Sequence, residues 1–184
     1  MRIVKATRCW GTIVCSFKNV KGDILLRPYR IHVLPVLEYG LCTFTPQTMD
    51  LAKLEGVQKK ITKSICFNMT GNNISGYNNR LKFLNLMTIS NRFLYRIVHI
   101  IFKRKRDRTD IPYSAYLVQF KDVRVHGNVA NLPNNRLHNS DKWVLNTAVK
   151  EYNLFPKNIR SATTFAQFKT LTKEYYISKS HQNR

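Results

Sequence analysis

The chain has 184 residues, with 31 Lys and Arg against 10 Asp and Glu, a formal net charge of +21 and a pI near 10.2. With 43% hydrophobic and 11% aromatic residues it has enough apolar material for a core, which excludes full intrinsic disorder. So large a positive excess on a chain with a core points to a polyanionic partner, nucleic acid ahead of an anionic membrane surface.

Two other classes fall early. A membrane span needs about 18 consecutive apolar residues, and the best run, Phe93 to Phe102, is interrupted by Arg96 and His99. The opening residues, Met1 to Trp10, are basic without a continuous apolar stretch or a small-residue cleavage site, so no secretory signal is expected. The expectation is therefore an intracellular protein, nuclear or cytoplasmic.

Taken in chain order, a short first segment ends at Lys21-Gly22-Asp23, where Asp23 is a candidate N-cap for a helical pattern over Ile24 to Tyr39. Pro28 and Pro35 lie inside that pattern, and each removes a backbone donor, so a kink or break is expected. Thr45-Pro46 or Thr48 opens a cleaner helix. Leu51, Leu54, Val57, Ile61 and Ile65 recur on one stripe, and Lys53, Lys59, Lys60 and Lys63 occupy the other faces. A turn-rich loop from Gly71 to Gly76 precedes a short helix, Tyr77 to Leu86, with Leu81 and Leu84 inward. Ser90 is read as the cap of the next helix, whose apolar face is Phe93, Leu94, Ile97, Ile100 and Ile101 and whose end is a run of cations, favourable at a helix C-terminus. Residues 51–110 hold 13 Lys and Arg against 3 Asp and Glu, so this stretch carries a net +10.

From 119 to 138 the pattern alternates, with Gly127-Asn128 as a turn candidate, and predicts a weak hairpin or extended arm. Ser140 or Asp141 then caps a helix to Tyr152 with Trp143, Val144, Ala148 and Tyr152 on one side, ended by Pro156. Ser161 opens the last helix, with Phe165, Phe168, Leu171 and Tyr175 inward, and the final residues read as a frayed tail. The fold class predicted is mainly α, a helical bundle with a small hairpin in its C-terminal part.

The chemistry is largely an absence. No pair of carboxylates has the Asp-Asp or Asp-x-Asp arrangement of two-metal sites, and Asp107 and Asp110, one turn apart among cations, read as surface pairing. No phosphate loop, nucleophile elbow or His-Glu-x-x-His pattern occurs. Cys9, Cys15, Cys42 and Cys66 lie far apart in sequence, with no two-residue-spaced pair, and Cys42 and Cys66 with His32 and His99, on apolar-patterned stretches, read as reduced, half-buried side chains and not as metal ligands. No catalytic residue, metal or other cofactor and no small-molecule substrate is expected for this chain. Basic residues interleaved with aromatics suit a sugar-phosphate backbone. The candidate phosphate contacts are Lys53, Lys59, Lys60, Lys63, Arg80, Lys82, Arg92, Arg96, Lys103, Arg104, Lys105 and Arg106.

Several strings resemble a family. Tyr29 to Gly40, then Phe44-Thr45-Pro46 and Leu54-Glu55-Gly56-Val57-Gln58-Lys59-Lys60, are similar to the region that follows the catalytic palm in reverse transcriptases of non-LTR retrotransposons, the LINE elements of the jockey type. The likeness continues through Asn79-Arg80-Leu81, Leu84, Leu86 and Arg92-Phe93 to Tyr152-Asn153-Leu154-Phe155-Pro156, Ile159-Arg160-Ser161 and Phe165-x-x-Phe168-Lys169, in order along nearly the whole chain. Leu34 stands where the family has Arg, Phe44 where it has Trp, and Pro28 where a helix former is usual. The resemblance implies a thumb over 22–110 that grips a template-primer duplex by its backbone. It also implies a remnant of the preceding segment over 1–21, a C-terminal extension over 111–178 and a tail over 179–184. It assigns the polymerase chemistry, and a divalent metal such as Mg, to a palm that would lie ahead of Met1. The partners implied are an RNA/DNA duplex and the palm. The alternative is a non-functional or protein-interaction remnant of a degenerate element.

Overall fold

The computed structural model describes residues 2–18, 22–40, 48–106, 119–123, 127–131 and 144–182. Over these the architecture is mainly helical with one antiparallel hairpin, as the periodicities predict. It divides into two compact units: residues 1–41, 46–91 and 177–184 form the first, and residues 42–45 and 92–176 form the second. This division differs from the segments 1–21, 22–110, 111–178 and 179–184, since the opening and closing residues both belong to the first unit.

The first unit begins with a helix where the sequence pattern predicts only a short segment: α1, Arg2–Ser16. Ala6, Trp10 and Ile13 are its buried stripe, and Trp10 meets the Tyr29 ring edge-on at 6.2 Å. No acid in its first turn announces the start. Next comes α2, Gly22–Pro28, then a π-helical turn, Tyr29–Val33, then α3, Leu34–Glu38. Gly22 is the first helical residue, so Asp23 lies inside the first turn and not at the cap. The prolines leave the run helical but shift its register. The Leu34 N–H donates to Tyr29 O, five residues back, immediately before Pro35, which has no N–H. Tyr29 and Val33 are buried to zero exposure.

The longest helix, α4, spans Thr48–Thr70. Leu54, Val57, Ile61 and Ile65 are buried as the spacing predicts, while Leu51 is half-buried. Gly71 ends it at φ +71°, a conformation glycine adopts at little cost, with its N–H donating to Phe67 O at 2.8 Å. The following helix, α5, is Tyr77–Leu84. Asn85 caps it in the left-handed region, and the Leu86 N–H reaches back to Leu81 O at 2.9 Å over the buried pair Leu81 and Leu86.

Helix α6, Ile89–Lys105, opens on Thr88 and not Ser90: Thr88 Oγ1 accepts the Asn91 N–H at 3.1 Å. A second acceptor comes from α4, where Glu55 Oε2 takes the Ile89 N–H at 2.8 Å. Glu55 also accepts the Tyr77 hydroxyl in a very short bond. Burial pushes its carboxyl above the ordinary range, against the pull of these bonds and of Lys59. Gln58, buried beside it, accepts from the Tyr29 hydroxyl at 3.0 Å and donates to Tyr77 Oη at 3.0 Å and Met87 O at 2.8 Å. One amide thus satisfies polar groups from three other segments of the first unit.

The second unit contains most of α6, then β1, Gln119–Val123, paired antiparallel with β2, Gly127–Asn131. Val123 pairs with Gly127, so Gly127-Asn128 begins the second strand, and the connection at 124–126 lies outside the described residues. Ala130 exchanges both backbone bonds with the Asn153 amide, at 3.0 and 2.9 Å, which ties β2 to α7, Val144–Leu154. The buried stripe of α7 is Leu145, Ala148, Val149 and Tyr152; Val144 is half-buried, and Ser140, Asp141 and Trp143 lie outside the described residues.

A one-turn helix, α8, Lys157–Arg160, precedes α9, Phe165–Gln182, and Ser161 closes the former without opening the latter. The cap of α9 is Thr164, whose Oγ1 accepts the Gln167 N–H at 3.2 Å, while Gln167 Oε1 takes the Thr163 N–H at 3.0 Å. The buried stripe of α9 is Phe168, Thr172, Tyr176 and Ser180, with Phe165, Leu171 and Tyr175 half-buried. Residues 179–182 continue the helix where a tail was expected. Ser180 is buried and its Oγ accepts the Asn91 side-chain amide at 2.7 Å and the Thr88 N–H at 3.2 Å.

Candidate nucleic-acid interface

In the first unit the candidates gather on α4. At about 100° per residue, Lys53, Gly56, Lys60, Lys63 and Phe67 fall within about 80° of arc, on the side away from the buried stripe. The three lysines and Phe67 are exposed, and the stripe from Lys53 to Lys63 is about 15 Å long. A Cβ at Gly56 would meet nothing within 4 Å, so glycine there is not demanded by packing; it leaves a flat stretch between the cations. Beside Lys60 runs an apolar groove of about 180 Å³ between α1 and α4, lined by Ile3, Thr7, Trp10, Val57 and Ile61. Lys53 sits near Asp50 and Arg2 at a second, more open hollow.

Other candidates in this unit are engaged locally. Lys59 lies 5.3 Å and the Arg80 guanidinium 5.8 Å from the Tyr77 ring centroid, and Arg80 Nη1 donates to Ile74 O at 3.1 Å. Burial and the Glu55 carboxylate push the Tyr77 hydroxyl strongly up, so it stays a donor. Lys82 is exposed on α5 beside the exposed Phe83.

In the second unit, Arg92, Arg96 and Lys103 share one stripe of α6 with His99, while Arg104 lies off it. Lys105 and Arg106 have a structural task. Lys105 Nζ donates to Arg160 O at 2.8 Å. Arg106 Nη2 donates to Thr163 O in a very short bond and to Ala162 O at 3.4 Å, holding the turn between α8 and α9. The sequence reading missed two cations, Lys169 and Lys173, both exposed on α9.

Two expectations about histidine and cysteine change. His32 is exposed, whereas His99 is half-buried as expected, and burial with Lys169, Lys103 and Arg96 nearby pulls its ring down to about 4. Cys9, Cys15 and Cys66 are free thiols; Cys66 is buried, which pushes its thiol up, and Cys42 lies outside the described residues, as do Asp107 and Asp110. Among the described residues no three His, Cys, Asp or Glu converge as metal ligands. No described helix is long and apolar enough to cross a membrane. No family model, curated protein or solved structure matches the chain.

Proposed function

We propose that this chain is a non-catalytic nucleic-acid-binding piece of a mobile-element polymerase. It grips the sugar-phosphate backbone of an RNA/DNA duplex and leaves the chemistry and its metal to another domain. The observation that carries the reading is the α4 stripe: Lys53, Lys60 and Lys63 exposed in a row, kept flat by Gly56, on a helix whose opposite side is fixed in the core. A row of cations about 15 Å long meets several successive phosphates of one strand, which carry a charge about every 3.4 Å of helix axis. Backbone contacts of this kind position a duplex without reading its sequence.

Fluorescence anisotropy with a labelled RNA–DNA hybrid duplex tests it. The affinity falls linearly on a log–log plot against salt, and each of K53A, K60A and K63A lowers the slope by about 0.9. Folding stability stays within about 0.5 kcal/mol, because the side chains are exposed. Absence of binding at low salt ends the proposal.

One observation favours the protein-interaction alternative. Ile24, Ile31 and Tyr39 are exposed, the last at 80%, along the run from α2 to the end of α3, an apolar line suited to a polymerase palm.

A further inference from the structure

We infer that Arg92, Arg96 and Lys103 of α6 and Lys169 of α9 form a second backbone-phosphate seam, within the second unit, against the edge of His99. The inference rests on the nucleic-acid reading above and adds to it a site with a titratable reporter. On α6, Arg92, Arg96, His99 and Lys103 recur at 4, 3 and 4 residues, within about 60° of arc and over about 16 Å.

Two ring contacts fix where α9 meets this stripe. The His99 ring lies 5.4 Å from Phe165, and Lys103 Nζ lies 5.6 Å from the same ring. His99 Nε2 is 3.3 Å from Thr172 Oγ1, and its other side is held by Tyr95 at 4.3 Å. Phe168 also meets the His99 ring, at 5.9 Å, and Lys169 follows it directly, one turn after Phe165 and one turn before Thr172, so it lies within the stretch of α9 that touches His99.

Helix α6 carries no Asp or Glu, and the only one on α9, Glu174, projects about 140° around the axis from Lys169. Glu151 of α7 accepts the Tyr176 hydroxyl at 3.2 Å. Burial first, and then Lys169, Lys103 and Arg96, pull the His99 ring down to about 4. A polyanion laid along the seam reverses that field: it offsets the three cations and raises the imidazole toward its ordinary value. The length of the stripe suits consecutive phosphodiesters better than one isolated phosphate.

The experiment uses the full chain and follows the His99 ring by NMR while a short RNA–DNA hybrid duplex is added, with inorganic phosphate and poly-glutamate as separate arms. The duplex raises the His99 pKa from about 4, whereas the other two additions, at matched ionic strength, leave it in place. In anisotropy, K103A and K169A each lower the salt slope by about 0.9, with an unchanged far-UV spectrum. If K60A weakens binding and both K103A and K169A bind as the parent does, the seam is wrong and the α4 stripe stands. If the parent chain binds no duplex at low salt, the reading beneath both fails. An equal His99 response to poly-glutamate overturns the seam in favour of an acidic protein segment, and an equal response to inorganic phosphate overturns it in favour of a single-anion site.

Discussion

The interior of the first unit is aliphatic around a polar tie, whereas that of the second is a run of rings. In the first, Leu54, Val57, Ile61, Ile65, Leu81 and Ile89 are buried, and so is Gln58, which joins Tyr29, Tyr77 and Met87 O. In the second, Phe102 stacks on Phe168 at 4.1 Å, and Phe168 meets Tyr152 and Phe155 at 6.2 and 6.1 Å, with Tyr175 and Tyr176 against Phe155. Aliphatic stripes leave the opposite side of a helix open for lysine, as on α4. Aromatic rings and backbone carbonyls give cations local partners, as with Lys103, Lys105 and Arg106 in the second unit and Lys59 and Arg80 beside Tyr77 in the first. The same residue types therefore have different duties according to the packing beside them.

Three measurements sharpen or break that contrast, the largest effect first. Phe168→Ala removes the centre of the aromatic run and costs about 3–5 kcal/mol in urea unfolding. Hydrogen exchange in that variant loosens amides in 92–176 and leaves those of α4 protected; uniform loss along the chain would show that the two interiors melt as one.

The next effect is on pH dependence. His99 titrates at about 4 in the folded chain against 6.5 when unfolded, so the unfolded state binds more protons between those values. Stability is therefore complete above about 6.5 and declines as pH falls toward 4, by about 3 kcal/mol. His99→Gln flattens that part of the profile, and a variant as pH-sensitive as the parent would place the titration elsewhere. Smallest is Gln58→Leu, which keeps the volume but removes the bonds to Met87 O and to the two tyrosine hydroxyls, at about 1–3 kcal/mol, with protection lost in α4 and α5.

What was legible in the sequence is what a single helix decides by itself. The stripe Leu54, Val57, Ile61 and Ile65 repeats at helical spacing, and its burial follows; so do the short helix with Leu81 and Leu84 inward and the existence of the hairpin. The caps were less legible, because Ser90 and Thr88, or Ser161 and Thr164, differ little as types, and the choice falls to the residue whose hydroxyl meets an orphan N–H. Gln58 reads as a surface residue until Tyr29 and Tyr77 are brought to it from distant positions.

The candidate site was half legible. Counting charge over 51–110 finds the α4 stripe and the basic end of α6, but Lys169 lies 66 residues beyond Lys103 and comes near it in the fold, beside His99. The same count cannot tell Lys60, open to solvent, from Lys105, bonded to a carbonyl.

The π-helical turn at Tyr29–Val33 has a consequence for chain length. A π turn holds one residue more than the α turn it replaces, so this run is the place in the first unit where a single codon could be lost without reversing the faces on either side. Elsewhere on these helices a one-residue deletion swings every later side chain by about 100°; one ahead of Lys60 would put Ile61 in the exposed place of Lys60 and Thr62 in the core place of Ile61. Length variation among related chains should accordingly concentrate between Pro28 and Pro35.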